Sequence, residues 1–226
     1  MSTLSLRLKT IASLVPSGAR VCDVGTDHAR LPIYLKQNNI AKTVIATELN
    51  EKPLKNAQTN IIESGVSGIS LRLCDGLSAV TADEADTVII AGIGGEVISG
   101  ILKNCDWIKH KGISLILQPT TSPEVLRRFL IQNAFEIVIE TPVFENKKIY
   151  SVITAKYTGN KIVYPDSYYY IGEIPKTDDG MVYIKKQQRR IFECMSALEN
   201  IESRKDEYEF YSRVFGQIEN LLTENN

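Results

Sequence analysis

The chain has 226 residues, 43% of them hydrophobic, and a formal net charge of -1, so it can bury a sizeable core and shows no bulk charge that selects a polyanion. It has no apolar run long enough to span a bilayer, no leader-like start, and no C-x-x-C pairing among Cys22, Cys74, Cys105 and Cys194. A membrane protein, a disulfide scaffold and a metal site are therefore disfavoured; a cytoplasmic protein with reduced thiols, monomeric or weakly dimeric, is expected.

In chain order, Arg7 and Lys9 open a first helix, and short β-branched runs then predict strands at 20–24, 43–47, 70–74, 87–91 and 113–117. Helical stripes lie between most of them: Leu54, Ala57, Ile61 and Ile62; Val97, Ile101 and Leu102; Val125, Leu126, Phe129 and Leu130. Alternating strand and helix gives βαβ units in a parallel sheet covered on both faces. Runs at 135–144 and 149–157 are joined only by "ENKK", too short for a parallel crossover, and so form an antiparallel hairpin. Five parallel strands closed by such a hairpin is the order of the Rossmann-like methyltransferase sheet, an α/β fold.

Beyond Tyr157 a Gly-, Pro-, Tyr- and Asp-rich segment reads as a linker, so the chain divides into 1–157 and 158–226. Two amphipathic stripes follow, Ile184, Ile191, Met195 and Leu198, then Tyr208, Tyr211, Phe215, Ile218 and Leu222. They predict a helical coiled-coil hairpin, with Ser203 and Asp206 as a capping box for its second helix; one continuous long helix is the alternative.

The strand ends carry the chemistry. The first strand delivers "CDVGTDHARLP", in which Gly25 lets a ligand approach the backbone. A pyrophosphate-binding turn wants further glycines, whereas Asp27 and His28 stand here; an acidic turn suits a ligand with a positive centre. Glu48 ends the second strand, where an acid accepts from ribose hydroxyls, and Asp75 follows the third, where a carboxylate accepts from an adenine amino group while Gly76 lets the ring lie on the backbone. The fourth ends in "IIAGIGGEV", with Gly92, Gly94 and Gly95. Singly, each has a plainer explanation: a turn glycine, a helix cap at Glu48, an Asp-Gly turn, a polar His28 at a helix start, close packing at 92–95. Four in register point to S-adenosylmethionine.

"DVGTDHARLP", "CDGL", "IIAGIGGEVI" and "LILQP" together resemble the bacterial tRNA (adenine(22)-N(1))-methyltransferase family over residues 6–157. The resemblance implies a Rossmann-like domain with a C-terminal coiled coil, S-adenosyl-L-methionine as donor, and N1 of a tRNA adenine in the D-arm as acceptor. It carries cofactor binding onto Asp23, Gly25, Asp27, His28, Glu48, Asp75, Gly76, Ala91 and Gly92, and places Gln118 and Pro119 at the substrate-side strand end. The chain departs from the family pattern at Arg30 (tyrosine), Ile93 (methionine), Thr120 (asparagine) and "IGEIP", where Gly-Pro is usual.

Adenine N1 has a free lone pair, so methyl transfer to it needs positioning and water exclusion more than a strong base, and the base must be unpaired or flipped. Asp27, His28 and Gln118 are the candidates for organising the reactive centre. For tRNA, Arg7, Lys9, Arg30 and the cluster Lys185, Lys186, Arg189 and Arg190 are candidate contacts; a solvated coiled-coil face is the competing reading of that cluster. Tyr168, Tyr169 and Tyr170 are expected to pack the hairpin rather than stack on bases. An NAD-dependent oxidoreductase, disfavoured by the missing glycines, and a non-catalytic RNA-binding relic of the fold are the alternative functions.

Overall fold

The β-branched runs form the parallel strands β1 (Ala19–Val24), β2 (Ala41–Glu48), β3 (Ile69–Leu73), β4 (Thr87–Ile93) and β5 (Ser114–Pro119) in a computed structural model that describes residues 4–223. Alternate side chains leave opposite faces, and both faces are filled. Val21, Ile89 and Ile116 pack on one side with α1 (Leu6–Ser13) and α2 (Arg30–Gln37). Cys22, Val88, Ile90, Leu115 and Leu117 pack on the other with α4 (Gly95–Lys103) and α5 (Pro123–Gln132). The sheet order is β3-β2-β1-β4-β5-β7-β6, where β6 (Phe135–Glu145) and β7 (Lys148–Tyr157) are the antiparallel pair. The chain reverses direction across the sheet between β1 and β4, which opens a crevice at their C-terminal ends.

Two stripes bury less than their pattern suggests: of Val97, Ile101 and Leu102 on α4 only Leu102 is buried, and α3 (Glu51–Ser64) buries less still. On α3 only Ala57 is buried, and Ile62 is 71% exposed, because this helix covers β3 at the sheet edge and has half a surface to pack on. The hairpin reaches further than a closing strand pair needs. β7 pairs with β5 only where Ile153–Lys156 face Ser114–Leu117, so the rest of β6 and β7 pair with each other and project past the end of β5. Asn146 and Lys147, both at left-handed φ (51° and 63°), make the two-residue turn at its tip.

The linker is not bare. It contains α6 (Asp166–Ile171), whose Tyr168, Tyr169 and Tyr170 are buried, as expected for packing. They join one continuous core with Leu126 and Leu130 of α5, Ile153 of β7, Tyr183, Ile184 and Ile191 of α7 (Asp178–Leu198), and Val214 and Ile218 of α8 (Lys205–Thr223). α7 and α8 form a helical hairpin, separated by the 3-10 turn Glu202–Arg204, so the single long helix is not formed. The expected Ser203–Asp206 box does not close the turn; Arg204 Nε donates to Glu207 Oε1 at 2.8 Å instead. Thr177 caps α7, its hydroxyl accepting from Gly180 N–H at 3.2 Å.

Arg127 fixes this packing. It is fully buried in α5 and uses every N–H of its guanidinium: Nε and Nη2 donate to the Glu140 carboxylate at 2.9 and 2.8 Å, Nη1 to the carbonyls of Tyr169 and Tyr170 at 3.0 and 2.9 Å, and Nη2 also to the Tyr183 hydroxyl at 2.9 Å. Glu140 accepts in addition from Ser151 Oγ at 2.7 Å. Removing one partner of a buried pair strands the other charge. Arg127→Met should therefore lower the unfolding free energy by about 3–5 kcal/mol in urea titrations. A loss under 1 kcal/mol would show that the pair does not hold α6 and α7 in place.

Candidate active site

At the C-terminal end of β1 the chain turns through three left-handed residues, Gly25, Asp27 and Ala29, at φ 71°, 51° and 53°. For Asp27 and Ala29 that conformation is uncommon and costs energy, so the surroundings must enforce it. They do. Gly25 and Thr26 N–H groups donate to Thr47 O at 2.9 and 3.2 Å, Asp27 N–H donates to Glu48 Oε1, and Asn60 Nδ2 donates to His28 O at 2.9 Å. Glu48 is thus buried against the turn and does not cap α3, whose N-cap is Asn50. The Asp27 carboxylate stays exposed, and His28 Nε2 lies 3.5 Å from Asp27 Oδ2.

Asp23 sits beneath this turn. Burial, reinforced by the nearby Glu48 carboxylate, raises its pKa from 3.8 to about 7. Asp23, Gly25, Asp27, His28, Ala91 and Gly92 line one cavity of about 350 Å³ with Arg7 and Arg30. A second cavity of about 380 Å³ follows β3, lined by Asp75, Gly76, Val97, Ile101, Asn104 and Cys105. Gly76 is required there: its φ is 56°, and a Cβ would stand 2.7 Å from Ile101 Cγ2. Thr47 Oγ1 donates to Gly76 O at 3.0 Å, tying the end of β2 to this second turn. Val97, 55% exposed, and Leu49, 63% exposed, offer apolar surface beside the acids. Sequence reading missed both, along with Asn60, since neither exposure nor a cross-helix bond has a sequence signal.

These features fit S-adenosylmethionine: carboxylates for hydroxyls and an amine, a glycine floor and apolar side chains for a flat ring, and an acidic wall for a positive sulfur. A larger cavity of about 480 Å³ shares His28 and Arg30 but is otherwise lined by Leu4 and by residues of α2 and α3 such as Tyr34, Asn60 and Glu63. It lacks the acid-and-glycine pattern of the strand ends.

The glycines at the end of β4 and the start of α4 divide their work. Gly92, at φ 84°, donates its N–H to Gln118 Oε1 at 3.1 Å, whereas a Cβ on Gly95 would stand 2.2 Å from Ser122 O, so Gly95 serves close packing. Gln118 is fully buried. Its Oε1 also accepts from Arg7 Nη1 at 2.5 Å, and its Nε2 donates to Pro119 O at 2.9 Å. It holds the Gly92 turn rather than facing the cleft with a free amide.

Arg7 is placed by the same network. Its backbone N–H and Nε donate to Glu145 at 3.0 and 3.4 Å, so it is a wall of the cleft and not a free surface cation. Lys9 and Arg30 are exposed. On α7, Arg189 pairs with Glu193 at 2.9 Å, and both Arg190 Nη groups donate to Glu124, Nη1 at 3.0 Å. Lys186 donates to Ile149 O at 3.2 Å; Lys185 is exposed, and neither lysine has a carboxylate partner among the described residues. Among the described residues no helix is long and apolar enough to cross a membrane, and no group of three or more His, Cys, Asp or Glu is placed to hold a metal.

Comparison with known proteins agrees with this geometry. Residues 4–153 match the family described as methyltransferase domain. A tRNA (adenine(22)-N(1))-methyltransferase of Bacillus subtilis is 32% identical over 209 residues, 90% of this chain and 87% of its own. The crystal structure of the B. subtilis M1A22 tRNA methyltransferase TrmK has a TM-score of 0.87 at 26% identity, covering 97% of this chain and 99% of that one. M. capricolum TrmK in complex with S-adenosyl-homocysteine has a TM-score of 0.80 at 30% identity, covering 96% and 97%.

The buried acid makes stability depend on pH. With its pKa raised to about 7, Asp23 keeps its proton in the folded chain after the unfolded chain has lost it near 3.8. The folded state then binds more protons across that window, so Asp23 makes the unfolding free energy fall as pH rises from about 4 to about 7, by at most about 1.4 kcal/mol per pH unit. Asp23→Asn should abolish this contribution, so that denaturation curves of variant and parent diverge with rising pH and run parallel above 7. A constant difference across the range would disprove the assignment.

Proposed function

The chain belongs to the methyltransferase-domain family and, within it, to the tRNA (adenine(22)-N(1))-methyltransferases, and on that premise we propose that it transfers a methyl group from S-adenosylmethionine to N1 of a tRNA adenine at position 22. The observation that carries this reading is the row of Asp23, Asp27, Glu48 and Asp75 at three successive strand ends around the two cavities. Bound there, S-adenosylmethionine supplies an electrophilic methyl on a sulfonium sulfur.

Asp75 accepts from the adenine amino group of the donor, while Gly76, Val97 and Ile101 seat its ring. Glu48 has one carboxylate oxygen committed to Asp27 N–H and turns the other to the ribose. Asp23 and Asp27 face the positive sulfur; that charge favours the ionised form of Asp23 and lowers its pKa again. Ala91 and Gly92 form the floor across which the acceptor approaches, held by Gln118 and Arg7. The exposed Asp27 carboxylate is placed to accept from the exocyclic amine of the target base and to stabilise the positive charge that grows on the ring as N1 is alkylated. His28 beside it orients that carboxylate. Residues 1–157 do this chemistry, and 158–226 present the helical arm to tRNA.

Incubation with unmodified tRNA and donor, followed by mass mapping, should place one methyl on N1 of adenine 22. Asp75→Ala should weaken donor binding by roughly 1.5–3 kcal/mol, the range for hydrogen bonds to charged groups, without changing thermal stability. Undiminished donor affinity in the folded variant would remove Asp75 from the site; methylation at another nucleoside would overturn the acceptor.

A further inference from the structure

Beyond the donor cleft, one groove has the chemistry of an anion site. It holds about 310 Å³ between the loop after β5, the projecting start of β7 and one face of α7. Its wall carries the hydroxyl groups of Thr120, Ser122 and Tyr150 and the cations Lys186 and Arg190, and none of its lining residues is acidic. Glu124 beside it neutralises Arg190. Among the described residues Lys186 has no carboxylate partner and donates to the carbonyl of Ile149, and its ammonium is held below its ordinary pKa by partial burial and by repulsion from Arg190 and Lys148. With Lys148 beside the groove at the hairpin tip, three cations stand against one carboxylate, an excess of about two positive charges at neutral pH. An ammonium crowded by two other cations is relieved by an anion, and the hydroxyls supply donors for its oxygens.

The position decides which anion. Pro119 lines the groove, and the adjacent Gln118 holds the Gly92 turn that lines the donor cleft. A group seated here therefore lies next to the place where the acceptor base meets the methyl. We propose that this groove holds the backbone phosphodiester beside the extruded adenine, gripped by Lys186 and Lys148 with the Thr120 and Ser122 hydroxyls. The proposal rests on the reading of the chain as a tRNA methyltransferase. It gives the arm a mechanical purpose: α7 supplies one wall of the groove and the strand loop the other, so the phosphate is bound only where arm and sheet meet.

The test uses the full chain. The salt dependence of tRNA binding is compared for the parent, Lys148→Gln, Lys186→Gln and the double variant. Lys156→Gln, an equal loss of charge at the far end of the same strand β7, where Lys156 pairs with Glu136 away from the groove, is the control. Each groove variant should lower the slope of log affinity against log salt by about 0.7–0.9, and the double variant should lose about tenfold less affinity than the parent between 50 and 200 mM salt. KM for tRNA should rise, donor affinity should stay the same, and Lys186→Arg should keep the parent slope. Unchanged slopes in variants of a parent that binds and methylates tRNA would overturn the groove alone. Slopes lowered equally by Lys156→Gln would also overturn it, as a bulk charge effect. A parent that does not bind tRNA would overturn both the groove and the functional reading beneath it.

Discussion

The arrangement of the molecule outside its parallel sheet depends on one buried guanidinium. Arg127 and Glu140 are both inaccessible to solvent, and two charges taken out of water are costly unless their hydrogen-bonding capacity is used. Here it is: five N–H groups meet two carboxylate oxygens, two carbonyls and a phenol. A salt bridge of this kind adds little net stability over a hydrophobic replacement, but it tolerates one geometry only. The planar fork requires α5, β6, α6 and α7 to lie in a single relative placement, whereas an apolar contact would let them slide. The rigid link from sheet to arm is thus an electrostatic constraint set within an apolar core.

That constraint reaches the cleft through the projecting hairpin. β6 carries Glu140 at its middle and Glu145 at its tip, so the strand pinned by Arg127 also presents the carboxylate that holds Arg7. Arg7 passes the restraint to Gln118, and Gln118 passes it to the Gly92 N–H. A continuous run of packed and bonded groups therefore joins the arm to the Gly92 turn at the floor of the cavity, by way of Arg7, which is itself part of the cavity wall. The left-handed turn at Asp27 and Ala29 is enforced separately, by Glu48 and Asn60 from the neighbouring strand and helix. Two independent supports, one on each side of β1 and β4, hold the two walls of the crevice.

Much of this was legible in the sequence, for identifiable reasons. Asp23, Glu48, Asp75 and Gly92 each close an apolar run, and a strand end is the one place where a β-branched run gives way to acid or glycine on a fixed edge of the sheet. The hairpin was legible because four residues cannot make a parallel crossover. What stayed hidden depends on contacts far apart in the chain. Gln118 reads as a candidate for organising the reactive centre, and its bond to Arg7, 111 positions away, has no local signal. Arg127 sits beside Leu126 in a helix that reads as amphipathic, where a charged side chain implies solvent; only Glu140, on a strand, reverses that. Ile62 belonged to an apolar stripe, yet an edge strand gives its helix too little surface to cover it. Local pattern fixes periodicity, while burial is decided by what the topology places opposite.

The overall charge of -1 conceals a separation that follows from the fold. The acids Asp23, Glu48 and Asp75 come from the strand ends, and Asp27 from the turn after β1, so they gather around the crevice. Among the described residues Arg30, Lys148 and Lys186 have no carboxylate partner; Arg30, at a helix start, lines the crevice, and Lys148 and Lys186, from the hairpin tip and α7, stand beside the groove after β5. Charges more than about 8 Å apart are largely screened at physiological ionic strength. The acids thus set the local field of the crevice, and Lys148 and Lys186 that of the groove after β5. An acidic pocket exposed on its own would repel RNA. Here Arg30 stands in the wall of the acidic cavity itself, and Lys148 and Lys186 stand at the separate groove after β5, so the same fold that gathers the acids sets cations near them.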